Sequence, residues 1–295
     1  MDKLTLNSYA KLNLYLSVLG MRRDGYHNIL TIFERISLAD KIVLKNRADN
    51  KINLICEKKG LPLDHCENLA YKSAKLLQQS FKLNKGVDIE IIKNIPIGSG
   101  MAGGSSNAAY TLIGLNKLWN LKLKQTQLTS LAAKIGSDVP FFIYDSSFAI
   151  GKGRGERIKP LKSLKRLKLW HIIAVPDLKV STPRIYKKWE HFKDMNMLTT
   201  PNYDVKILIS SLKKRDFSAL NKAIFNGLEP VTMTLYPLVR RIKNKFLSLG
   251  ARSALMSGSG PAVFGILSSK KEAVSLAAQF KKEKSCWRFF FCYTL

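Results

Sequence analysis

The chain has 295 residues, which is enough for one large or two medium-sized domains with cores of their own. Its composition, 46% hydrophobic and 24% charged, is typical of globular proteins, and no apolar run reaches the roughly 20 residues of a membrane span. The net charge of +28 favours polyanionic ligands. Because the basic residues are scattered and not interleaved with aromatics, we do not expect nucleic-acid binding as the main role.

The beginning of the sequence and the cysteines indicate a cytoplasmic protein. The segment Met1-Asp2-Lys3-Leu4 is polar and lacks the apolar stretch of a secretory signal. The cysteines lack the C-x-x-C spacing of a metal or redox site, and we expect all of them to be reduced. These are Cys56, Cys66, Cys286 and Cys292.

The first predicted element is a strand over residues 4–18. Apolar Leu12 and Leu14 alternate with Lys11 and Asn13, and a period of two indicates a strand buried on one face. We therefore expect Lys11 and Asn13 to lie on an open face. A turn at 22–25 and an apolar segment through residue 38 follow. Further strands are predicted over residues 42–44, 52–56 and 87–95, and an amphipathic helix over 68–81.

A glycine-rich segment then joins the predicted strand 87–95 to a predicted helix over 108–118. It reads Pro96-Ile97-Gly98-Ser99-Gly100-Met101-Ala102-Gly103-Gly104-Ser105-Ser106-Asn107. Glycines allow several backbone N–H groups to point at one anion, and a following helix adds the positive end of its dipole. The pattern predicts a phosphate-binding loop.

Three well-known phosphate-binding motifs do not fit this segment. A dinucleotide site needs an acidic residue about 20 positions further on, but the next carboxylate is Asp138. A Walker loop needs Gly-Lys-Ser or Gly-Lys-Thr, whereas Gly104 is followed by Ser105. The H-R-D and D-F-G elements of protein kinases are absent from the sequence.

The remaining elements indicate an α+β fold of two domains. A helix over 125–134, the segment Ser137-Asp138-Val139-Pro140 and a glycine-rich hairpin at 151–155 complete the predicted first domain, residues 1–160. Residues 161–295 form the second domain, with an antiparallel sheet that has helices on one face. Its strands are predicted over 169–175, 254–256, 262–267 and 287–293, and its helices between 182 and 225 and over 236–249 and 270–282.

Three segments in order resemble the motifs of the GHMP kinase superfamily, small-molecule kinases without a Walker loop. They are Tyr9-Ala10-Lys11-Leu12-Asn13-Leu14, the glycine run from Pro96 to Ala109, and Met256-Ser257-Gly258-Ser259-Gly260-Pro261-Ala262-Val263-Phe264. The resemblance implies two α+β domains, the second ferredoxin-like, with the active site in the cleft between them. The resemblance does not decide whether the chain forms a homodimer.

Residues 20–27 and 135–142 resemble one member of this superfamily. That enzyme uses ATP to phosphorylate the 2-hydroxyl of a cytidyl-bearing small molecule in the non-mevalonate isoprenoid pathway. Two alternatives stay open: another GHMP kinase that acts on homoserine, mevalonate or a sugar, and a basic nucleic-acid-binding protein built on the same domain.

The resemblance also implies a role for each site residue. Asp138 would be the catalytic base and Lys11 a catalytic cation that keeps Asp138 ionised. Otherwise Asp138 only caps a helix and Lys11 is a solvated lysine. Residues 96–106, Pro96 to Ser106, would bind ATP. Magnesium is implied by ATP chemistry, but the sequence does not assign its ligands.

The same resemblance assigns the cytidyl substrate to Asn13, Tyr26, His27 and Tyr186. Aromatic side chains can stack on a cytosine ring, and a histidine can both donate to and accept from its Watson–Crick edge. One position departs from the motif, because Met101-Ala102 stands where the superfamily usually has Leu-Gly. We expect Ala102 to weaken ATP binding if its φ is positive.

Overall fold

The computed structural model describes residues 2–57, 67–195, 197–198, 204–282 and 287–295. Its strands are β1 (Lys3–Met21), β2 (His27–Arg47), β3 (Ile52–Glu57), β4 (Gly86–Ile92), β5 (Phe148–Gly153), β6 (Arg157–Pro160), β7 (Trp170–Pro176), β8 (Phe225–Asn226), β9 (Ser253–Met256), β10 (Val263–Leu267) and β11 (Trp287–Tyr293). Its α-helices are α1 (Leu69–Ser80), α2 (Gly103–Leu118), α3 (Gln125–Ile135), α4 (Val139–Ile143), α5 (Thr182–Asp194), α6 (Val205–Lys214), α7 (Phe217–Ala223), α8 (Glu229–Leu235), α9 (Pro237–Ser248) and α10 (Lys270–Lys282).

The first sheet is built around the long antiparallel pair β1 and β2, joined by the predicted turn at residues 22–25. Its strand order is β3-β4-β2-β1-β8, with β5 paired to β2 and β6 to β5. Helices α1 to α4 cover one face, because their apolar stripes and the inward residues of β2 and β4 form a common core. Leu44, Ile89, Leu112 and Phe141 are buried there.

The second sheet has the order β11-β7-β10-β9, and all of its pairs are antiparallel. Helices α9 and α10 pack against it through Phe246 and Phe280, which are fully or almost fully buried. The predicted α+β fold is confirmed. The division at residues 160 and 161 remains a prediction, and β8, which follows it in the chain, pairs with β1 of the first sheet.

The two sheets meet in a core of buried apolar residues from both, among them Leu12 and Phe264. A buried polar contact accompanies it: Nε2 of His171 on β7 lies 2.8 Å from Oε1 of Glu34 on β2. The hydroxyl of Thr294 donates to the same carboxylate oxygen. Both side chains are completely buried, so His171 belongs to the packing between the sheets.

Several predicted boundaries were wrong; the strand predicted over 87–95, for example, ends at Ile92. Helix α2 begins at Gly103 and not at Ala108, because the second half of the glycine run forms its first turn. A Cβ on Gly103 would lie 2.9 Å from Cγ2 of Ile95, so glycine permits this close approach to the preceding segment. Residues 42–44 are not a separate strand but part of the continuous β2.

Of the cysteines, Cys292 is buried, which raises the pKa of its thiol, and Cys56 is half-buried. Cys66 and Cys286 lie outside the described residues. In the part of the chain that the structure describes, no helix is long and apolar enough to cross a bilayer.

Candidate active site

A cleft of about 1150 Å³ is lined by residues from both parts of the chain. Its lining includes residues from β1, β2, the glycine-rich loop, the β5–β6 hairpin, α5 and residues 258–260. All of the predicted site residues line this cleft except Met101 and Ser106.

The backbone path of the glycine-rich loop, residues 96–102, depends on two glycines and on a hydrogen bond within the loop. Gly98 and Gly100 have φ values of +68° and +83°, which glycine adopts without strain. The Ser99 hydroxyl donates to the carbonyl of Pro96 at 2.7 Å. Helix α2 starts directly after the loop, so its unpaired N–H groups and positive dipole end lie at the cleft. Loop and helix together provide an anion-binding surface.

Ala102 precedes α2 in the left-handed conformation, with φ 55° and ψ 34°. This is the position where the superfamily usually has glycine. For a residue with a Cβ the left-handed conformation costs roughly 1–2 kcal/mol. The motif departure therefore introduces backbone strain beside the anion-binding surface.

The side chains of Met101 and Ser106 lie inside the protein and not at the cleft. The Met101 side chain is fully buried in the core between the sheets. The Ser106 hydroxyl lies 2.6 Å from the carbonyl oxygen of Tyr9 and 2.7 Å from the hydroxyl of Ser8. The structure does not bring these two side chains to the cleft, which distinguishes them from Ser105.

Lys11 and Asn13 do not lie on an open face, and that prediction was wrong. They are only 3% and 1% exposed, because the glycine-rich loop and residues 257–260 cover this face of β1. The Lys11 Nζ donates to Oδ1 of Asn13 at 2.5 Å and to the carbonyl of Gly100 at 2.9 Å. Burial lowers the pKa of Lys11, and the nearby carboxylate of Asp138 offsets part of this effect.

Asp138 lies directly before α4, and its Oδ2 is 3.7 Å from Nζ of Lys11. Its side chain makes no capping hydrogen bond to the helix that follows. The capping alternative therefore lacks its defining contact. Asp138 is a partly exposed carboxylate that lines the cleft next to the buried Lys11.

The predicted cytidyl residues are only partly brought together. His27 and Tyr186 lie against each other with ring centroids 4.9 Å apart. Tyr26 is 54% exposed, and the Arg154 guanidinium lies 4.8 Å from its ring centroid. Asn13 holds Lys11 through its carbonyl and donates to the Thr31 hydroxyl at 2.8 Å.

Several polar residues that line the cleft were not predicted from the sequence, among them Glu190 and Lys93. Glu190 on α5 accepts a hydrogen bond from His27, with Oε1 2.7 Å from Nε2. Lys93 is buried against Asp40 and donates to Oδ1 of Asn107 at 3.2 Å. No motif contains Lys93, but the spacing of Tyr186 and Glu190, one helical turn apart, would have indicated that both share a face of the helix.

Comparison with known proteins agrees with this architecture. Residues 68–146 match the GHMP kinases N terminal domain and residues 208–285 match the GHMP kinases C terminal family. A curated relative, 4-diphosphocytidyl-2-C-methyl-D-erythritol kinase from Geobacillus sp. (strain WCH70), is 43% identical over 265 residues, which cover 90% of this chain and 88% of the relative. The protein of that name from Bacillus cereus (strain AH187) is 44% identical over the same length, with the same coverage of both chains.

Solved structures show the same fold. The crystal structure of a 4-(cytidine 5'-diphospho)-2C-methyl-D-erythritol kinase has a TM-score of 0.80 at 32% identity, covering 98% of both chains. Homoserine kinase from Cytophaga hutchinsonii has a TM-score of 0.74 at 18% identity, covering 100% of this chain and 95% of its own, which shows a shared fold alone. The chain belongs to the 4-diphosphocytidyl-2-C-methyl-D-erythritol kinase family of the GHMP kinases.

Proposed function

We propose that this protein transfers the γ-phosphoryl group of ATP to the 2-hydroxyl of 4-diphosphocytidyl-2-C-methyl-D-erythritol, in the non-mevalonate isoprenoid pathway. The observation that supports it most directly is the Lys11–Asp138 pair, 3.7 Å apart, beside the anion-binding surface of the glycine-rich loop and α2. Phosphoryl transfer to an alcohol needs such a proton acceptor and such positive charge next to a phosphate site.

In the proposed reaction Asp138 acts as the general base. The carboxylate takes the proton of the attacking hydroxyl as its oxygen forms a bond to the γ-phosphorus. The bond between that phosphorus and the β,γ-bridging oxygen breaks, and ADP leaves with its electron pair. The proton resides on Asp138 until it is released to water. Each turnover therefore converts one alcohol and one ATP into a phosphate ester, ADP and a proton.

Lys11 supplies positive charge where negative charge develops. Asn13 and the carbonyl of Gly100 hold its ammonium group, so the position of the charge is set before ATP binds. Because this nitrogen is buried, its charge is weakly screened and acts strongly on a nearby phosphoryl group.

A GHMP kinase uses ATP as its phosphoryl donor, and we further propose Mg²⁺ as its metal ion. Among the described residues no group of three or more His, Cys, Asp or Glu side chains is arranged to hold a metal. Mg²⁺ does not require such a group, because it is usually bound through one or two carboxylates together with substrate phosphates and water. The Ser105 hydroxyl, in the first turn of α2 and at the cleft, would be one protein oxygen for the ion. The ion would neutralise charge on the phosphates.

The acceptor substrate would place its cytosine at His27 and Tyr186. Both rings line the same cleft as the glycine-rich loop, His27 from β2 and Tyr186 from α5. We also infer that the protein is cytoplasmic, where ATP and reduced thiols prevail. A homodimer stays a prediction, to be tested by light scattering of the purified protein.

An ATP-consumption assay tests the proposed function. Purified protein is given Mg²⁺, ATP and, separately, the cytidyl substrate, homoserine and mevalonate, and ³¹P NMR identifies the product. We expect turnover of the cytidyl substrate, with a new phosphomonoester signal. Turnover of homoserine or mevalonate instead would assign the chain another substrate. Retention on heparin without any ATP turnover would support the nucleic-acid-binding alternative.

A further inference from the structure

His27 contacts three residues of α5, namely Tyr186, Trp189 and Glu190, of which Tyr186 and Glu190 lie one helical turn apart. The His27 ring therefore has a stacking partner and a carboxylate partner on the same helix face. Oε1 of Glu190 is 2.7 Å from Nε2, while Nδ1 accepts no hydrogen bond from any described residue. The ring lines the cleft and is largely buried, with 8% of its side chain exposed.

The carboxylate determines which ring nitrogen carries the proton. An ionised glutamate has no hydrogen to donate, so the short contact requires a proton on Nε2. In a neutral imidazole the other nitrogen, Nδ1, is then an acceptor with a free lone pair. A carboxylate that orients a histidine and selects its tautomer is a known arrangement at metal sites, and the same physics holds without a metal.

We propose that Glu190 is a positioning residue for base selection: by holding the proton of His27 on Nε2, it leaves Nδ1 as an acceptor suited to cytosine and unsuited to uracil. Cytosine has an exocyclic amino group, a donor, where uracil has a carbonyl oxygen, an acceptor. A donor placed against Nδ1 forms a hydrogen bond, whereas a carbonyl oxygen leaves two lone pairs facing each other. This inference rests on the proposed function, because it concerns the base of the proposed substrate.

The test compares kcat/KM for the cytidyl substrate with kcat/KM for its uridine diphosphate counterpart. We expect the parent enzyme to prefer the cytidyl compound. In Glu190→Gln the amide can donate to Nε2, which allows the tautomer with the proton on Nδ1. The preference should fall about tenfold or more, the typical worth of one good base contact. The change should arise in the KM for the cytidyl substrate, while kcat and the KM for ATP stay within twofold of the parent.

Further variants separate this role from a merely structural one. Glu190→Asp keeps an acceptor-only carboxylate and should retain more of the preference than Glu190→Gln does. Asp177→Asn, an exposed residue away from the cleft, removes the same charge and should leave the preference unchanged. Thermal melting checks that each variant is folded. An unchanged preference in a folded Glu190→Gln enzyme would overturn the inference, and so would equal KM increases for both substrates.

The outcome also distinguishes this inference from the proposed function. If the parent does not phosphorylate the cytidyl substrate at all, the proposed function fails. If the parent is active and selective but Glu190→Gln is equally selective, only the assignment of Glu190 fails.

Discussion

The ammonium nitrogen of Lys11 lies 3.7 Å from Oδ2 of Asp138, too far for a hydrogen bond and close enough for a strong charge interaction. The donor contacts of Lys11 go to Asn13 and Gly100 instead. The carboxylate is thus paired in charge while its oxygens remain open to a substrate hydroxyl. This arrangement suits a base better than a direct salt bridge would, because a direct bond would have to break before proton transfer.

Asp138→Asn should preserve the fold and the KM values but lower kcat by about 10²–10⁴-fold, the usual contribution of a general base. The amide keeps the size of the side chain and cannot accept the proton. Steady-state kinetics with both substrates, together with a thermal melt, would measure this. Asp177→Asn serves as the control for loss of one negative charge. A variant with the parent kcat would exclude Asp138 as the base.

Lys11→Met should lower kcat as well, and its effect should not add to that of Asp138→Asn. Methionine keeps most of the buried side-chain volume, so the loss reports on the charge and not on a cavity. Since each residue matters partly through the other, the double variant should be barely slower than the slower single variant. If the fold-reductions in kcat of the two single variants multiply in the double variant, the two residues act independently.

Ala102→Gly should remove the strain at the start of α2 and lower the KM for ATP without changing the KM for the cytidyl substrate. The expected stability gain is small, about 1 kcal/mol or less, because glycine also costs conformational entropy. Lys82 is the matched control, since it has a similar φ of 49° and an exposed position. Lys82→Gly should give a comparable change in melting temperature and no change in either KM. If Ala102→Gly leaves the KM for ATP unchanged, the loop tolerates the methyl group.

Tyr186→Ala should raise the KM for the cytidyl substrate about 10-fold or more, from a lost base stack of roughly 1–3 kcal/mol. The KM for ATP should hold, because its phosphates would bind at the glycine-rich loop. Tyr186→Phe keeps the ring and should behave like the parent. Salt gives a second readout: a stacked base depends weakly on ionic strength, whereas lysine–phosphate binding falls by orders of magnitude. If Tyr186→Ala leaves the KM for the cytidyl substrate unchanged and this KM rises steeply with salt, then scattered lysines bind the substrate and Tyr186 does not.

Local patterns predicted most of the fold, and the departures have physical causes. The alternation in β1 predicted the strand, but a period of two does not tell whether the second face meets solvent or another part of the chain. Lys11 and Asn13 are buried because the loop at Gly100 and the turn after Met256 cover them, a contact between segments far apart in sequence. The late predicted start of α2 followed from the low helix propensity of glycine, which tertiary packing overrides.

The candidate site was predictable where a motif carries it and not elsewhere. The glycine-rich loop, Lys11 and Asp138 came from motifs, and the structure brings them to one cleft. The contact between His27 and Glu190 joins β2 to α5, and neither local propensity nor a motif contains it. The Lys93–Asp40 pair joins β2 to the residue that follows β4, and the pairing of these two strands brings them together.

The close backbone contact between Gly100 and Ser257 limits which halves of two such kinases can be joined in a chimera. A Cβ on Gly100 would lie 2.1 Å from the carbonyl oxygen of Ser257, and the amide of Ala262 donates to the carbonyl of Ser99 at 3.1 Å. The glycine-rich loop thus takes its shape partly from the far end of the polypeptide. A chimera that joins the first half of this enzyme to the second half of a relative would keep a working nucleotide loop only if the incoming turn reproduced the backbone path at Ser257. Parental pairs should therefore be chosen by agreement between these two segments and not by overall similarity.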